Sequence, residues 1–298
     1  MNAKRSLLVF EERRAFLLGL AYRILGSYAE AEDAVQDTYL KWSQADDGSI
    51  DNPAAWLTAT CTRRCIDMLR AARQTRVDYI GSWLPEPISV ASEATPETTA
   101  ELSSTLSMAF LLLLERLTPK ERAAYLLYEI FDRPYPDVAQ ALGVNELACR
   151  KLVSRAREKV GKDVVRSAVP RERQVELLAA FRCAVETGST ARLAALMSDD
   201  VRLSADGGGK VPALLQDLAG KPRVLEFVSG RLRQYWRQYR DWEYTDINGV
   251  MGATLFEGEQ IVASLSFAYD GQAKLTGIFI TRNPDKLAHL PMPGARIQ

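Results

Sequence analysis

The chain has 298 residues, enough for two or three compact units, with 47% hydrophobic residues and 38 basic side chains against 38 acidic ones. No apolar run of about 18 residues occurs, so no membrane-crossing helix is expected, and the first residues lack the apolar centre of a signal peptide. A single histidine, His289, and four scattered cysteines leave little material for histidine catalysis or a metal site and suit a reducing cytoplasm.

From Arg13 to Leu25 apolar residues recur at helical spacing (Phe16, Leu17, Leu20, Ala21, Ile24), and Gly26 stops the pattern. Ser27 and Glu30 form an S-x-x-E box that starts a helix running to about Gln44. Asp51 and Asn52 precede Pro53, which opens a third helix to about Ala72. Trp42 and Trp56 are expected as core anchors, and Cys61 and Cys65 share a helical face suited to core packing. The far end of this helix carries Arg63, Arg64, Arg70, Arg73 and Arg76, a first basic patch. Residues 77–99 change character, with WLPEP at Trp83 to Pro87 and then a Ser/Thr/Glu/Pro-rich run. The prolines favour an extended, semi-rigid linker.

A helix is expected from about Pro96 to Leu117. Thr118, Pro119 and Glu121 then give a second capping box for a helix to Phe131. Residues 135–157 read as two short helices around a tight turn at Gly143, with Asn145 as the second N-cap. In the second helix Ala148, Cys149, Leu152, Val153, Ala156 and Val160 fall on one core-facing stripe, while Arg150, Lys151, Ser154, Arg155, Arg157 and Glu158 occupy the other side. That layout is a helix-turn-helix whose second helix can enter a DNA major groove; the alternative is a helical hairpin with a solvated basic face. The zero net charge hides this asymmetry. Residues 53–76 hold five basic groups and one acidic, residues 145–166 hold seven and three, and residues 77–117 between them hold one and six.

Beyond Pro170, Arg171 to Thr187 and Thr190 to Met197 read as helices, and Asp200 to Ala205 as a strand entering the turn DGGGK at Asp206 to Lys210. Another helix spans about Lys221 to Gln238. Strands follow at Trp242 to Ile247, Met251 to Phe256, Gln260 to Tyr269 and Lys274 to Thr281, with hairpin signals at Gly249, Gly258 and Asp270-Gly271. The expectation is a multi-domain chain: two all-α units, then an α+β cone whose curved antiparallel sheet wraps a helix. Such a cone often encloses a small-molecule pocket.

Ala21 to Trp42 (AYRILGSYAEAEDAVQDTYLKW) and Asn52 to Arg70 (NPAAWLTATCTRRCIDMLR) resemble region 2 of the extracytoplasmic-function sigma factors. Leu117 to Phe131 with the helix-turn-helix resembles region 4 of the same family. The remainder resembles the subgroup with a C-terminal SnoaL-like domain, through WLPEP, DGGGK and NPDKL (from Asn283) in order. The resemblance implies region 2 at residues 1–76, the linker at 77–99, region 4 at 100–167 and a SnoaL-like regulatory domain at 171–298. It implies a promoter-specificity subunit of bacterial RNA polymerase, cytoplasmic, without cofactor, metal or catalytic residues.

Under that resemblance Asp33, Gln36 and Asp37 face the polymerase core. Arg63, Arg64, Arg70 and Arg73 support the opened strand of the −10 element, where a base leaves the stack, and a polar residue around Thr62 to Arg64 lines its pocket. Arg150, Lys151 and Ser154 read the −35 element, while Arg155, Arg157 and Lys159 neutralise phosphates. The fused domain takes the place of a separate anti-sigma factor. Its contact surface is expected from Asp206, Gly207, Gly208, Gly209 and Lys210 together with Asn283, Pro284, Asp285 and Lys286. These are expected to grip the linker at Trp83, Leu84 and Pro85 together with regions 2 and 4, with Lys210 and Asp285 open to partner charges. A small-molecule ligand in the cone is a further expectation. The rival readings are a one-component ligand-responsive DNA-binding regulator and, more remotely, a SnoaL-like isomerase or cyclase. Against the latter, His289 lies outside the expected strands and Asp206 in a turn rather than on a cone wall, which leaves Asp241 and Asp246 as general-base candidates by residue type alone.

Overall fold

The computed structural model describes residues 3–45, 50–89, 105–161 and 169–292. The chain folds as two units, each assembled from two stretches of sequence: Met1–Val77 with Leu113–Val164, and Asp78–Leu112 with Val165–Gln298. No helix among the described residues is long and apolar enough to cross a membrane.

The first unit is helical. Helix α1 spans Ala3–Leu25, α2 Tyr28–Gln44 and α3 Pro53–Thr75. Ser27 caps α2 by accepting from the Glu30 amide, and Asn52 caps α3 by accepting from the Ala55 amide, with Pro53 in the first turn. Leu17, Leu20, Ile24, Ala34, Leu57, Cys61, Cys65 and Leu69 are buried between these helices. Trp42 is buried against Trp56, and its indole donates to the Ser6 carbonyl. Helix α4, Met108–Leu114, carries the chain across the boundary between the two units. The expected helix from Pro96 is described only from there on, because residues 90–104 lie outside the described part.

Helix α5, Pro119–Tyr125, starts with a complete Thr118–Glu121 capping box and widens into a π-helical turn at Leu126–Ile130. Helix α6, Tyr135–Leu142, ends at Gly143 in the left-handed conformation (φ 61°), and α7, Glu146–Val160, is capped by Asn145. Cys149, Val153, Ala156 and Val160 are buried along one side of α7. Arg122, 1% exposed, ties this unit together: it donates to the Ile24 carbonyl at 2.7 Å and the Leu114 carbonyl at 3.0 Å, and lies 2.8 Å from the Glu115 carboxylate.

The second unit is α+β. Helices α8 (Arg171–Thr187) and α9 (Ala191–Leu196) precede β1 (Met197–Asp206) and the short β2 (Leu218–Ala219). Helix α10 (Lys221–Phe227) runs through a π-helical turn, Val228–Leu232, into α11 (Arg233–Trp236). Strands β3 (Asp241–Ile247), β4 (Val250–Glu257), β5 (Gln260–Tyr269) and β6 (Leu275–Thr281) and the one-turn helix α12 (Pro284–Leu287) complete it. The six strands lie in the order β2-β1-β6-β5-β4-β3. The sheet is mixed rather than wholly antiparallel as expected, because β1 runs parallel to β6, from Arg202 opposite Gly277 to Asp206 opposite Thr281. A long crossover through α10 and the β3–β5 meander makes that pairing possible.

One sheet face packs on α8, α10 and α11 around Phe181, whose ring meets those of Trp236, Trp242 and Phe267. The other face is covered as well: Leu84 and Met108 pack on Phe279, and Leu287 and Leu290 pack on Ile247. Burial on both faces explains why β4 and β6 read as almost unbroken apolar runs.

Candidate nucleic-acid interface and linker clasp

The polar face of α7 is exposed throughout: Arg150, Lys151, Ser154, Arg155, Arg157 and Lys159 all reach solvent. Several of these cations already have partners. Arg150 pairs with Glu146 one turn earlier at 2.6 Å, and donating to that carboxylate raises the pKa of its guanidinium. Arg157 pairs with Glu129 at 2.5 Å, and Lys159 pairs with the buried Glu121 at 2.6 Å, with Arg155 at 3.7 Å from the same carboxylate. Burial pushes the Glu121 carboxyl up, but the Lys159 ammonium and the Thr118 amide and hydroxyl outweigh it and hold the group below its ordinary value.

The basic end of α3 divides. Arg63 donates from Nε to the Ala141 carbonyl at 3.0 Å and from Nη2 to the Gln140 carbonyl at 2.6 Å, at the C-terminal end of α6. Arg73 donates to the Glu115 and Leu117 carbonyls at 3.2 and 2.6 Å. Carbonyls at a helix end carry partial negative charge, so a guanidinium is a natural cap. Arg64 instead pairs with Asp37 of α2 at 2.6 Å, and Arg70 lies exposed beside Asp67. Asp33 and Gln36 are exposed on α2. Thr62 is fully buried, and its hydroxyl has no hydrogen-bond partner among the described residues.

In the second unit the three short motifs converge on one carboxylate. Asp206 closes β1 and is completely buried, so it belongs to the sheet rather than to a turn. Its Oδ1 accepts from the Tyr79 hydroxyl at 2.6 Å and the Gly208 amide at 2.9 Å. Its Oδ2 accepts from the Leu84 amide at 2.9 Å and the Lys286 ammonium at 2.7 Å. Lys286 also donates to the Leu84 carbonyl and lies over the rings of Trp83 at 4.3 Å and Tyr79 at 5.2 Å. Asn283 caps α12 and donates from its side-chain amide to the Tyr79 hydroxyl at 3.1 Å. The β1 end therefore receives the linker from one side and NPDKL from the other.

Gly207 and Gly208 make that approach possible: a Cβ on Gly207 would fall 2.3 Å from the Val211 carbonyl oxygen, and one on Gly208 would fall 2.4 Å from Asn283 Nδ2. Lys210 and Asp285, expected to face partner charges, pair with each other at 2.5 Å. Further along the linker, Pro85 and Glu86 are buried and Glu86 lies 3.5 Å from His289, while the Ile88 carbonyl accepts from the Asn248 amide at 2.8 Å and the Ile88 amide donates to the Asn248 side-chain Oδ1 at 3.3 Å. Tyr79 and Asn248 escape the sequence reading because no local pattern marks them, and His289 enters it only as the single histidine of the chain. Among the described residues no group of three or more His, Cys, Asp or Glu side chains is placed to hold a metal ion.

Comparison with known proteins agrees with this architecture. Residues 9–75 match the sigma-70 region 2 family and residues 107–160 the sigma-70 region 4 family. The chain is 32% identical over 300 residues to the ECF RNA polymerase sigma factor SigJ of Mycobacterium tuberculosis, covering 97% of this chain and 95% of that protein. It is 31% identical over 242 residues to the probable ECF RNA polymerase sigma factor SigI of the same organism, covering 74% and 83%. The crystal structure of Mycobacterium tuberculosis SigJ superposes with a TM-score of 0.75 at 30% identity, covering 95% of this chain and 98% of that one. With both sigma regions in order and a full-length relative above 30% identity, the chain belongs to the extracytoplasmic-function sigma factors of RNA polymerase.

Proposed function

We propose that this sigma factor is governed by its own C-terminal domain, which holds the linker between regions 2 and 4 and replaces a separate anti-sigma factor. As a sigma factor the chain works with RNA polymerase and promoter DNA and is not an enzyme. Its working place is the cytoplasm, where that polymerase transcribes. In this reading Asp33, Gln36 and Asp37 meet the polymerase, and Arg63, Arg64, Arg70 and Arg73 support the opened −10 strand. Arg150, Lys151 and Ser154 read the −35 element, with Arg155, Arg157 and Lys159 on phosphates. Arg63 and Arg73, bonded to carbonyls of residues 115–141, have to exchange those acceptors for DNA. A small molecule acting through the cone would meet the Phe181, Trp236 and Trp242 cluster.

The observation that carries this reading is the clasp on Asp206. A buried carboxylate that binds linker residues Tyr79 and Leu84 fixes the path of the chain joining the two promoter-binding regions. Asp206→Asn removes the pairing with Lys286 and half of the acceptor capacity, and Asn283→Ala removes the brace on Tyr79. Both variants are expected to keep binding core polymerase and to raise promoter-dependent run-off transcription several-fold. Unchanged output from both sinks the proposal.

A further inference from the structure

The charged face of α7 is supported by two aromatic residues that no charge pattern exposes. Tyr128 projects from the π-helical turn after α5, and Tyr135 opens α6. Their rings stack with centroids 4.1 Å apart and planes 23° from parallel. The Arg150 guanidinium carbon lies 4.3 Å from the Tyr135 ring centroid, and that of Arg157 lies 5.4 Å from the Tyr128 centroid. Arg150 and Arg157 stand seven residues apart on α7, two turns or about 10 Å along its axis. The tyrosine pair spans that gap, giving a ladder of cation, ring, ring, cation beside the helix. Glu146 and Glu129 fix the two ends through ion pairs at 2.6 and 2.5 Å. Despite these contacts the arginine side chains remain 56% and 52% exposed, so their donors still reach outward.

An arginine on a bare helix surface loses substantial rotamer freedom when it engages a base or a phosphate. Stacking against a ring removes part of that freedom beforehand, and preorganised donors bind with less loss. The π-helical turn contributes because it brings two successive residues to one cation, Glu129 by charge and Tyr128 by its ring. We propose that Tyr128 and Tyr135 are positioning residues for upstream-promoter recognition, Tyr135 setting Arg150 for base reading and Tyr128 setting Arg157 for phosphate contact. This rests on the promoter-reading role proposed above for α7.

The test uses holoenzyme assembled from the full chain and core polymerase, with selection from a library of −35 element variants. Arg150→Ala relaxes the choice of base at the positions it reads. Tyr135→Leu relaxes the same positions by about two- to fivefold, the size of one exposed cation–π contact. Tyr135→Phe restores the native preference, and the Tyr135→Leu/Arg150→Ala pair is no worse than Arg150→Ala alone. Tyr128→Leu lowers affinity for all sequences alike. If Tyr135→Leu weakens every sequence equally, if the double variant is additive, or if Tyr128→Leu leaves affinity intact, the positioning role is overturned. An Arg150→Ala holoenzyme with unchanged preference overturns the role of α7 itself, a distinct result.

Discussion

Four donors meet the two oxygens of Asp206 in a site closed to solvent, and a buried carboxylate needs that full complement. Lys286 supplies the countercharge, with its side chain only 12% exposed and its stem beside Trp83 and Tyr79. Lys286→Met retains much of that apolar packing but strands the carboxylate. Removing one partner of a buried pair costs about 3–5 kcal/mol, so the unfolding transition of the C-terminal unit is expected to fall accordingly in calorimetry. Adding Asp206→Asn should recover part of the loss, because the unpaired charge is then gone. A transition that does not move for Lys286→Met would mean that the countercharge is unimportant to the clasp. The sequence marked Asp206 and Lys286 as members of short motifs but did not pair them, since 80 residues separate them. Tyr79 sits 127 residues before its acceptor and lies in no motif, so the phenol that completes the site was invisible.

Local chemistry explains which elements were legible. The helix-turn-helix boundaries follow from residues adjacent to them: Asn145 accepts from the Ala148 amide at 2.8 Å, and Gly143 supplies the left-handed turn. The Thr118 box is as local. By contrast, the parallel pairing of β1 with β6, the two-residue β2 and the π-helical turns depend on partners or strain outside any short window. Two glycines with the same φ show the difference between a local and a non-local role. Gly143 and Gly208 both have φ 61°, but a Cβ on Gly143 meets nothing within 4 Å, whereas one on Gly208 meets the Asn283 amide at 2.4 Å. Gly143→Ala is therefore expected to cost about 1–2 kcal/mol, the penalty of the left-handed conformation alone. Gly208→Ala adds displacement of Asn283, so it should cost more and also raise hydrogen exchange at the Leu84 amide. Equal costs for the two, with Leu84 still protected, would show that Asn283 swings aside freely and that the clasp is loose.

At the scale of the whole molecule, the packed form of the helical unit conflicts with the geometry of a promoter. Elements centred near −10 and −35 are about 25 base pairs apart, on the order of 80 Å at 3.4 Å per step. In this structure α3, with the arginines proposed for the first element, is hydrogen-bonded to the end of α6, in the helix-turn-helix proposed for the second. Both sites cannot be occupied until region 4 leaves region 2 and the bonds of Arg63 and Arg73 are broken. The linker that would have to permit this separation is the segment held at Asp206, so under the regulation proposed above the clasp is expected to bias that equilibrium. Dyes on Leu8→Cys in α1 and Glu158→Cys in α7 would report it, in a Cys183→Ser background, since Cys61, Cys65 and Cys149 are buried. Energy transfer is expected to be high in the isolated protein and to fall when core polymerase and promoter DNA are added. Arg63→Ala with Arg73→Ala should lower it without polymerase, because two arginine staples on four carbonyls are removed. Transfer that stays high in a transcribing complex would mean that the packed form is itself the active one, and region 4 would then have to reach its element some other way.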